Sequence, residues 1–152
     1  EVTLPLGGKL DMPSIGLKGV PRTVTGRVRL LSDGVFTNYG PMARGETNHM
    51  GPTAVFVVDG IQIVVISNHV EPHDLAAFHA VGIAPERQKY LMLKSRVHWR
   101  AGLKAVAHAV VECNGSGVCT SDYAALKLRR VRRPIYPLDV GLAWGPGSLE
   151  AK

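Results

Sequence analysis

The spacing of apolar and polar residues marks out a sheet before anything else. Thr23-Val24-Thr25-Gly26-Arg27-Val28-Arg29-Leu30-Leu31 alternates loosely, as expected of a strand with one face in solvent. Ser32-Asp33-Gly34 turns the chain, and Val35-Phe36-Thr37 is expected to return beside that strand as a hairpin partner. Thr53 to Val58 and Ile61 to Ser67 are rich in Val and Ile on both faces, which predicts central strands. Asp59-Gly60 between them suits a two-residue type I′ turn, where both positions need positive φ. Val2 to Leu6 reads as an edge strand, followed by a Gly- and Pro-bearing connection from Gly7 to Pro21. Asn38 to Pro52 reads as a loop, punctuated by Gly40-Pro41, Gly45 and Gly51-Pro52. Its Arg44, Glu46, Asn48 and His49 make it either a functional rim or a mobile surface segment.

The period changes beyond Gln88. Tyr90-Leu91-Met92-Leu93 is an uninterrupted apolar run that fits a strand buried on both faces. Val97, Ala101 and Ala105 then recur at helical intervals, with Ser95 placed to cap the helix by accepting from the amide of residue 97 or 98. Ala109-Val110-Val111-Glu112 reads as one more strand, which completes a strand-helix-strand unit with parallel strands. A shorter helix, Leu75 to Val81, is expected between Asp74 as cap and Gly82 as terminator. Ser121-Asp122 starts a helical turn over Tyr123 to Leu126. Leu128 to Asp139, with Pro134 and Pro137, is expected to lie extended against the body, and 141–152 to form a flexible tail. The fold class that follows is α/β: a single domain over 1–140, with a mixed β-sheet and flanking helices, containing a β-hairpin and a β-α-β unit.

Composition adds bounds. A chain of 152 residues, 45% hydrophobic and 20% charged, can bury a core of its own. No apolar stretch is long enough to span a membrane, and Glu1-Val2-Thr3-Leu4 has no signal-peptide pattern, so a cytoplasmic setting is expected. The start without Met is expected of a piece cut from a longer protein. The formal net charge of +6 suits an anionic partner, or equally an acidic remainder of such a protein. Cys113 and Cys119 flank a turn flexible enough for a disulfide, but two thiols without a second pair make a poor zinc site, and reduced thiols are expected.

The candidate chemistry gathers where the strand at 90–93 gives way to the helix. Lys94 and Arg100 bring charge, Ser95 a hydroxyl, and His98 a ring that titrates near neutral pH; together they could hold a substrate carboxylate or a developing oxyanion. Helical spacing puts 95 and 98 on one face and rotates Arg100 away. The structural alternative is a capping Ser, an internally bonded His and two exposed cations. His69, His73 and His79, interleaved with Glu71 and Asp74, resemble metal ligands by composition, but Pro72 breaks the helical geometry and surface histidines are the simpler reading. Lys127, Arg129, Arg130, Arg132 and Arg133 form the densest charge. Without interleaved aromatics or a recognition helix they argue against nucleic acid and for ion pairs with another part of the same protein.

The order of motifs resembles a known family. Ser32-Asp33-Gly34-x-Phe36, Gly40-Pro41-Met42, Gly51-Pro52-Thr53-Ala54-Val55, Lys94-Ser95-x-x-His98-x-Arg100-Ala101 and Arg129-Arg130-x-Arg132-Arg133-Pro134-Ile135-x-Pro137-Leu138-Asp139 are similar to the C-terminal domain of the MlrC family. That family comprises the microcystin-degrading protein and its bacterial relatives, a class of metallopeptidases. The resemblance implies a partner: an N-terminal zinc-binding domain of the same protein, not contained in this chain, carrying the hydrolytic chemistry on a peptide or amide substrate. Within this chain it implies no catalytic residue, no metal ligand and no cofactor of its own. It implies a substrate-binding role for Lys94, Ser95, His98 and Arg100, and an interdomain role for Arg129, Arg130, Arg132 and Arg133. The isolated chain is then expected to be inactive, and homo-oligomerisation is left open. A purely structural or oligomerisation domain is the alternative, with an anion- or nucleic-acid-binding module behind it. Trp99 in place of the family's usual Phe, and Asn68-His69 in place of an Arg-rich turn, depart from the pattern, and Cys113 and Cys119 fall outside it.

Overall fold

Strands β1 (Val2–Leu6), β2 (Arg22–Ser32), β5 (Thr53–Val58) and β6 (Ile61–Val65) form a four-stranded sheet in the order β1-β2-β5-β6, in a computed structural model that describes residues 1–113, 115, 120, 122–126 and 128–142. Contacts divide the chain into two compact units, one of Glu1–Pro5 with Thr23–Val111, the other of Leu6–Arg22 with Glu112–Lys152. The sheet belongs to the first. Asp59 and Gly60 carry φ of 48° and 81°, so the turn is the expected one, and it sets the antiparallel register from Val58↔Ile61 to Ala54↔Val65.

Hydrophobic content assigned β5 and β6 to the centre, and only β5 is there. Val55 and Phe56 point to opposite faces and both are fully buried, whereas β6 closes the sheet edge and leaves Ile61 exposed. Composition marks a strand as apolar; its place depends on which neighbours bond to it. β2 pairs antiparallel with β5, and the register slips between Val28 and Leu30, so Arg29 is the extra residue of a bulge.

Strand β3 (Val35–Thr37) does not fold back on β2. It pairs with β4 (Thr47–His49), a short strand inside the segment expected to be loop throughout, in register from Val35↔His49 to Thr37↔Thr47. Gly34 at φ 72° lets the chain leave β2, and a Cβ there would lie 2.3 Å from the carbonyl oxygen of Gly51. The loop between β3 and β4 is held by backbone bonds from the amide of Asn38 to Glu46 and from that of Gly45 to Asn38.

Phe36, Met50, Val55, Ala76, Ala77, Val81 and Ile83 make the core, so β3, β5 and helix α1 (Ala76–His79) share one apolar cluster. Asp74 opens α1, its Oδ1 accepting from the amide of Ala76 at 2.8 Å. Gly82 at φ 67° ends it: the amide of Gly82 donates to His79 O and that of Ile83 to Phe78 O, closing the last turn. Arg29, thrown outward by the bulge, donates through Nη2 to the carbonyls of Val81 and Gly82 at 3.0 and 3.2 Å and so completes that end.

The α/β class with flanking helices and a hairpin stands, with sheet predominating, but the β-α-β unit does not form. Neither Tyr90–Leu93 nor 109–112 is in a strand, and the connecting helix α2 spans only Trp99–Leu103, continued by a single 3₁₀ turn at Lys104–Val106. A strand persists only where a neighbour takes its N–H and C=O groups. The expected stripe on α2 is also displaced: Val97 is 51% exposed, and Leu103, 2% exposed, is the residue that packs inward.

In the second unit, short 3₁₀ turns occupy Pro13–Ile15 and Tyr123–Ala125, the latter capped by Asp122 as expected. The segment from Leu128 to Asp139 is not extended. It turns back on itself, because Asp139 accepts from Ile135 N at 2.7 Å and from Arg133 Nε at 2.6 Å, with a second contact to Arg133 Nη2; the peptide bonds before Pro134 and Pro137 are cis. The expected tail at 141–152 falls outside the described residues from 143 onward, as does Cys119 of the cysteine pair.

Candidate functional site

Glu71 closes the candidate site. It lies between β6 and α1, and its carboxylate meets both residues that sequence reasoning set on one face of the second helix. Oε1 accepts from the Ser95 hydroxyl, and Oε2 pairs with His98 Nδ1 at 2.8 Å. Ser95 in turn accepts from the amide of Trp99, the first of α2, at 3.1 Å; the bonded amide is one to two residues later than expected, and His98, not Ser95, holds the cap position. An ionised carboxylate only accepts, so the proton of this pair is on Nδ1 of His98. Nε2 is then the ring atom that can accept from, or once protonated donate to, another group. His98 is half exposed, and its Nε2 makes no hydrogen bond among the described residues.

The backbone under Glu71 is held just as specifically. His73 Nδ1–H donates to Glu71 O at 3.1 Å, which fixes Nε2 as an acceptor for Asn38 Nδ2–H at 3.2 Å. Asn38 follows β3 directly and is buried, with its Oδ1 lacking a hydrogen-bond partner. Asp74, 2% exposed, accepts from Gly40 N at 2.7 Å as well as from Ala76 N. Gly102 brings α2 against the same segment: a Cβ there would lie 2.6 Å from His73 O and 2.9 Å from Asp74 Cα. The turn after β3, the segment 71–74 and the start of α2 therefore converge, with Glu71 presented at the junction.

The electrostatics follow from these contacts. The Ser95 hydroxyl first, and the His98 ring second, hold the Glu71 carboxyl below the usual glutamate range, against a smaller opposing effect of burial. Nearby, Tyr39 donates to His79 Nδ1 at 2.6 Å, and His79 Nε2–H reaches Glu86 Oε2 at 3.2 Å. Burial, then the charges of Asp74 and Glu86, push the Tyr39 phenol up. Glu86 is held down by its own backbone amide and then by His79.

Of the expected substrate-binding residues, Ser95 and His98 come together and the two cations do not join them. Lys94 is exposed. Arg100 is exposed, donates to Arg96 O at 3.1 Å and stacks over Trp99 at 5.0 Å from the ring centre. In sequence Glu71 reads only as a possible metal ligand among the nearby histidines, because the Ser95 and His98 that it serves lie 24 and 27 residues on. Three histidines close in sequence part in space: His69 is exposed, His73 bonds to Asn38, and His79 to Tyr39 and Glu86. Among the described residues, no three His, Cys, Asp or Glu side chains gather as metal ligands.

The expected interdomain arginines lie in the second unit. Arg133 is engaged by Asp139, which it and the amide of Ile135 draw down to a pKa of about 2. Arg129 and Arg130 border an open hollow with Pro13, Ser14, Leu128 and Val131, and Arg132 is exposed.

The architecture and the site define an α/β domain in which a carboxylate joins a serine and a histidine at the foot of a short helix. Residues 1–130 match the family described as MlrC C-terminus, and the chain belongs to that family. It is 24% identical over 140 residues to Microcystinase C from Sphingomonas sp., an alignment covering 91% of this chain and 25% of that protein. It is also similar to the protein from Mesorhizobium sp. BNC1 described as "Putative metallopeptidase", at a TM-score of 0.77 and 25% identity, covering 95% of this chain and 28% of that one. The chain thus spans about a quarter of the length of the relatives it matches.

Proposed function

We propose that this chain works as the C-terminal domain of a longer zinc-dependent peptidase or amidohydrolase, where it lines the substrate cleft and is not catalytic alone. The observation that carries this reading is the Glu71 carboxylate shared by Ser95 and His98 on the exposed side of α2. A carboxylate on one ring nitrogen fixes the tautomer of an imidazole and steadies its charged form, which leaves the other nitrogen a directed partner for a substrate amide or carboxylate. Lys94 and Arg100 stay apart from the pair: Lys94 is exposed, and Arg100 bonds to Arg96 O and stacks over Trp99.

The described residues do not fit zinc, since Glu71 and His98 spend their facing atoms on each other. In this reading the metal, which activates water when bound, is held by residues outside this chain. The substrate is a peptide or another amide, with microcystin-like cyclic peptides one member of that class, and the setting is cytoplasmic. No helix among the described residues is long and apolar enough to cross a membrane.

The test is turnover by the longer protein carrying His98→Ala or Glu71→Gln. A hydrogen bond to a charged group is worth about 1.5–3 kcal/mol, or about 10- to 100-fold in rate. We expect kcat/KM to fall by that much in both variants, with Glu71→Gln also shifting the pH profile. A second reading has its own observation: Glu71 ties the segment before α1 to the start of α2, and that tie could be wholly structural. Unchanged kcat/KM with reduced stability would establish that reading instead.

A further inference from the structure

From Arg87 to Val111 the chain contains six Lys and Arg, namely Arg87, Lys89, Lys94, Arg96, Arg100 and Lys104, and no Asp or Glu. That stretch carries a formal charge equal to the +6 of the whole chain. Within it lies the most strand-like apolar run outside the sheet, and all of this run but the half-buried Leu93 is in water: Tyr90 is 84% exposed, Met92 100%, and Leu91 is exposed as well, as is Val97 just beyond. Four large apolar side chains within eight residues, with Lys89 and Lys94 at either end of the run, are the apolar centre and charged rim of a contact surface.

We propose that Tyr90 to Val97 docks against the remainder of the longer polypeptide, on a face that is apolar at its centre and bordered by carboxylates. The inference rests on the reading of this chain as one domain of such a protein. Two observations select this occupant. The relatives are about four times the length of this chain, so they carry ample further surface for it to pack on. Lys89 and Lys94 flank the run, so a second copy of Tyr90 to Leu93 paired symmetrically with it would set lysine against lysine at both ends, whereas an acidic border attracts them. Tyr90 to Leu93 also keeps the composition of a buried strand with no strand partner among the described residues, as expected of a segment whose hydrogen-bonding neighbour lies elsewhere.

The experiment is thiol labelling of Met92→Cys, in this 152-residue chain and in the longer protein, with the modified peptide identified by mass spectrometry so that Cys113 and Cys119 do not interfere. Burial at such a face slows labelling on the order of a hundredfold, because the reagent must wait for local opening. We expect that slowing only in the longer protein, and we expect it to shrink as salt is raised. Equal rates in the two proteins overturn the proposal. Slow labelling of the short chain together with a doubled mass assigns the face to a second copy and also overturns it. Fast labelling of a longer protein that still loses turnover on Glu71→Gln sinks the docking face and keeps the substrate role. Slow labelling with unchanged turnover does the reverse.

Discussion

Glu71 and Asp74 lie three residues apart and do different work. Glu71 is partly exposed, and its carboxyl is held low by the Ser95 hydroxyl and the His98 ring. In an NMR titration it should therefore protonate below the ordinary glutamate value of about 4.3, and Ser95→Ala should move it up more than His98→Ala does. Equal titration of all three proteins would mean that the shared carboxylate is not formed in solution. Asp74 is buried and serves two backbone amides, Gly40 and Ala76, from opposite ends of one carboxylate. Asp74→Ala leaves both N–H groups without a partner, each costing about 1–3 kcal/mol, so urea unfolding should show a loss of about 2–6 kcal/mol. The capping role of Asp74 was legible from its place before an apolar helical stretch. Its second amide was not, because Gly40 is 34 residues away.

Helix α2 shows how packing overrules propensity. Gly102 in the middle of a helix is normally a weakness, and Gly→Ala would gain about 1 kcal/mol from propensity alone. Here the added Cβ would meet backbone atoms of His73 and Asp74 at 2.6 and 2.9 Å, which cannot rotate away. Gly102→Ala should therefore destabilise the chain by about 1–3 kcal/mol of overpacking, measured by thermal or urea unfolding, and should loosen the Glu71 pairing with it. The same close approach explains why the apolar stripe read from Val97, Ala101 and Ala105 does not face the core: α2 is turned so that Gly102 approaches the segment 73–74 and Leu103 is buried. The bulge at Arg29 is a parallel case. In sequence it is one more polar residue of an alternating strand; in the fold it is the donor that finishes α1.

Carboxylates with depressed pKa occur in both compact units: Glu71 and Glu86 in one, Asp139 at about 2 in the other. For each, the folded value lies below the unfolded one, so the contribution to stability is complete above the unfolded pKa and disappears as pH falls through the folded pKa. Stability should thus be level from neutral pH down to about 5, then decline through the carboxylate range, with the Asp139 part lost last, near pH 2. Denaturant midpoints measured across that range check the sign, and a rise on acidification would contradict it. Because Glu71 and Asp139 are partly exposed and Arg133 largely so, added salt should flatten the decline.

Local physics sufficed for several features. The Asp59-Gly60 hairpin turn needs only two residues tolerant of positive φ between apolar runs, the last turn of α1 is marked by Gly82, and β2 by its alternation. The motif order also carried the family, whose match covers residues 1–130. What the fold alone settled depends on distant partners. Strand β3 chose β4 over β2, Tyr90–Leu93 found no strand neighbour among the described residues, and Glu71 was brought across 24 and 27 residues to Ser95 and His98. A strand's apolar residues fix how much surface it must bury but not which edge will cover it. A carboxylate's identity likewise fixes what it can accept but not which donors will reach it. Both outcomes are set when the whole chain packs.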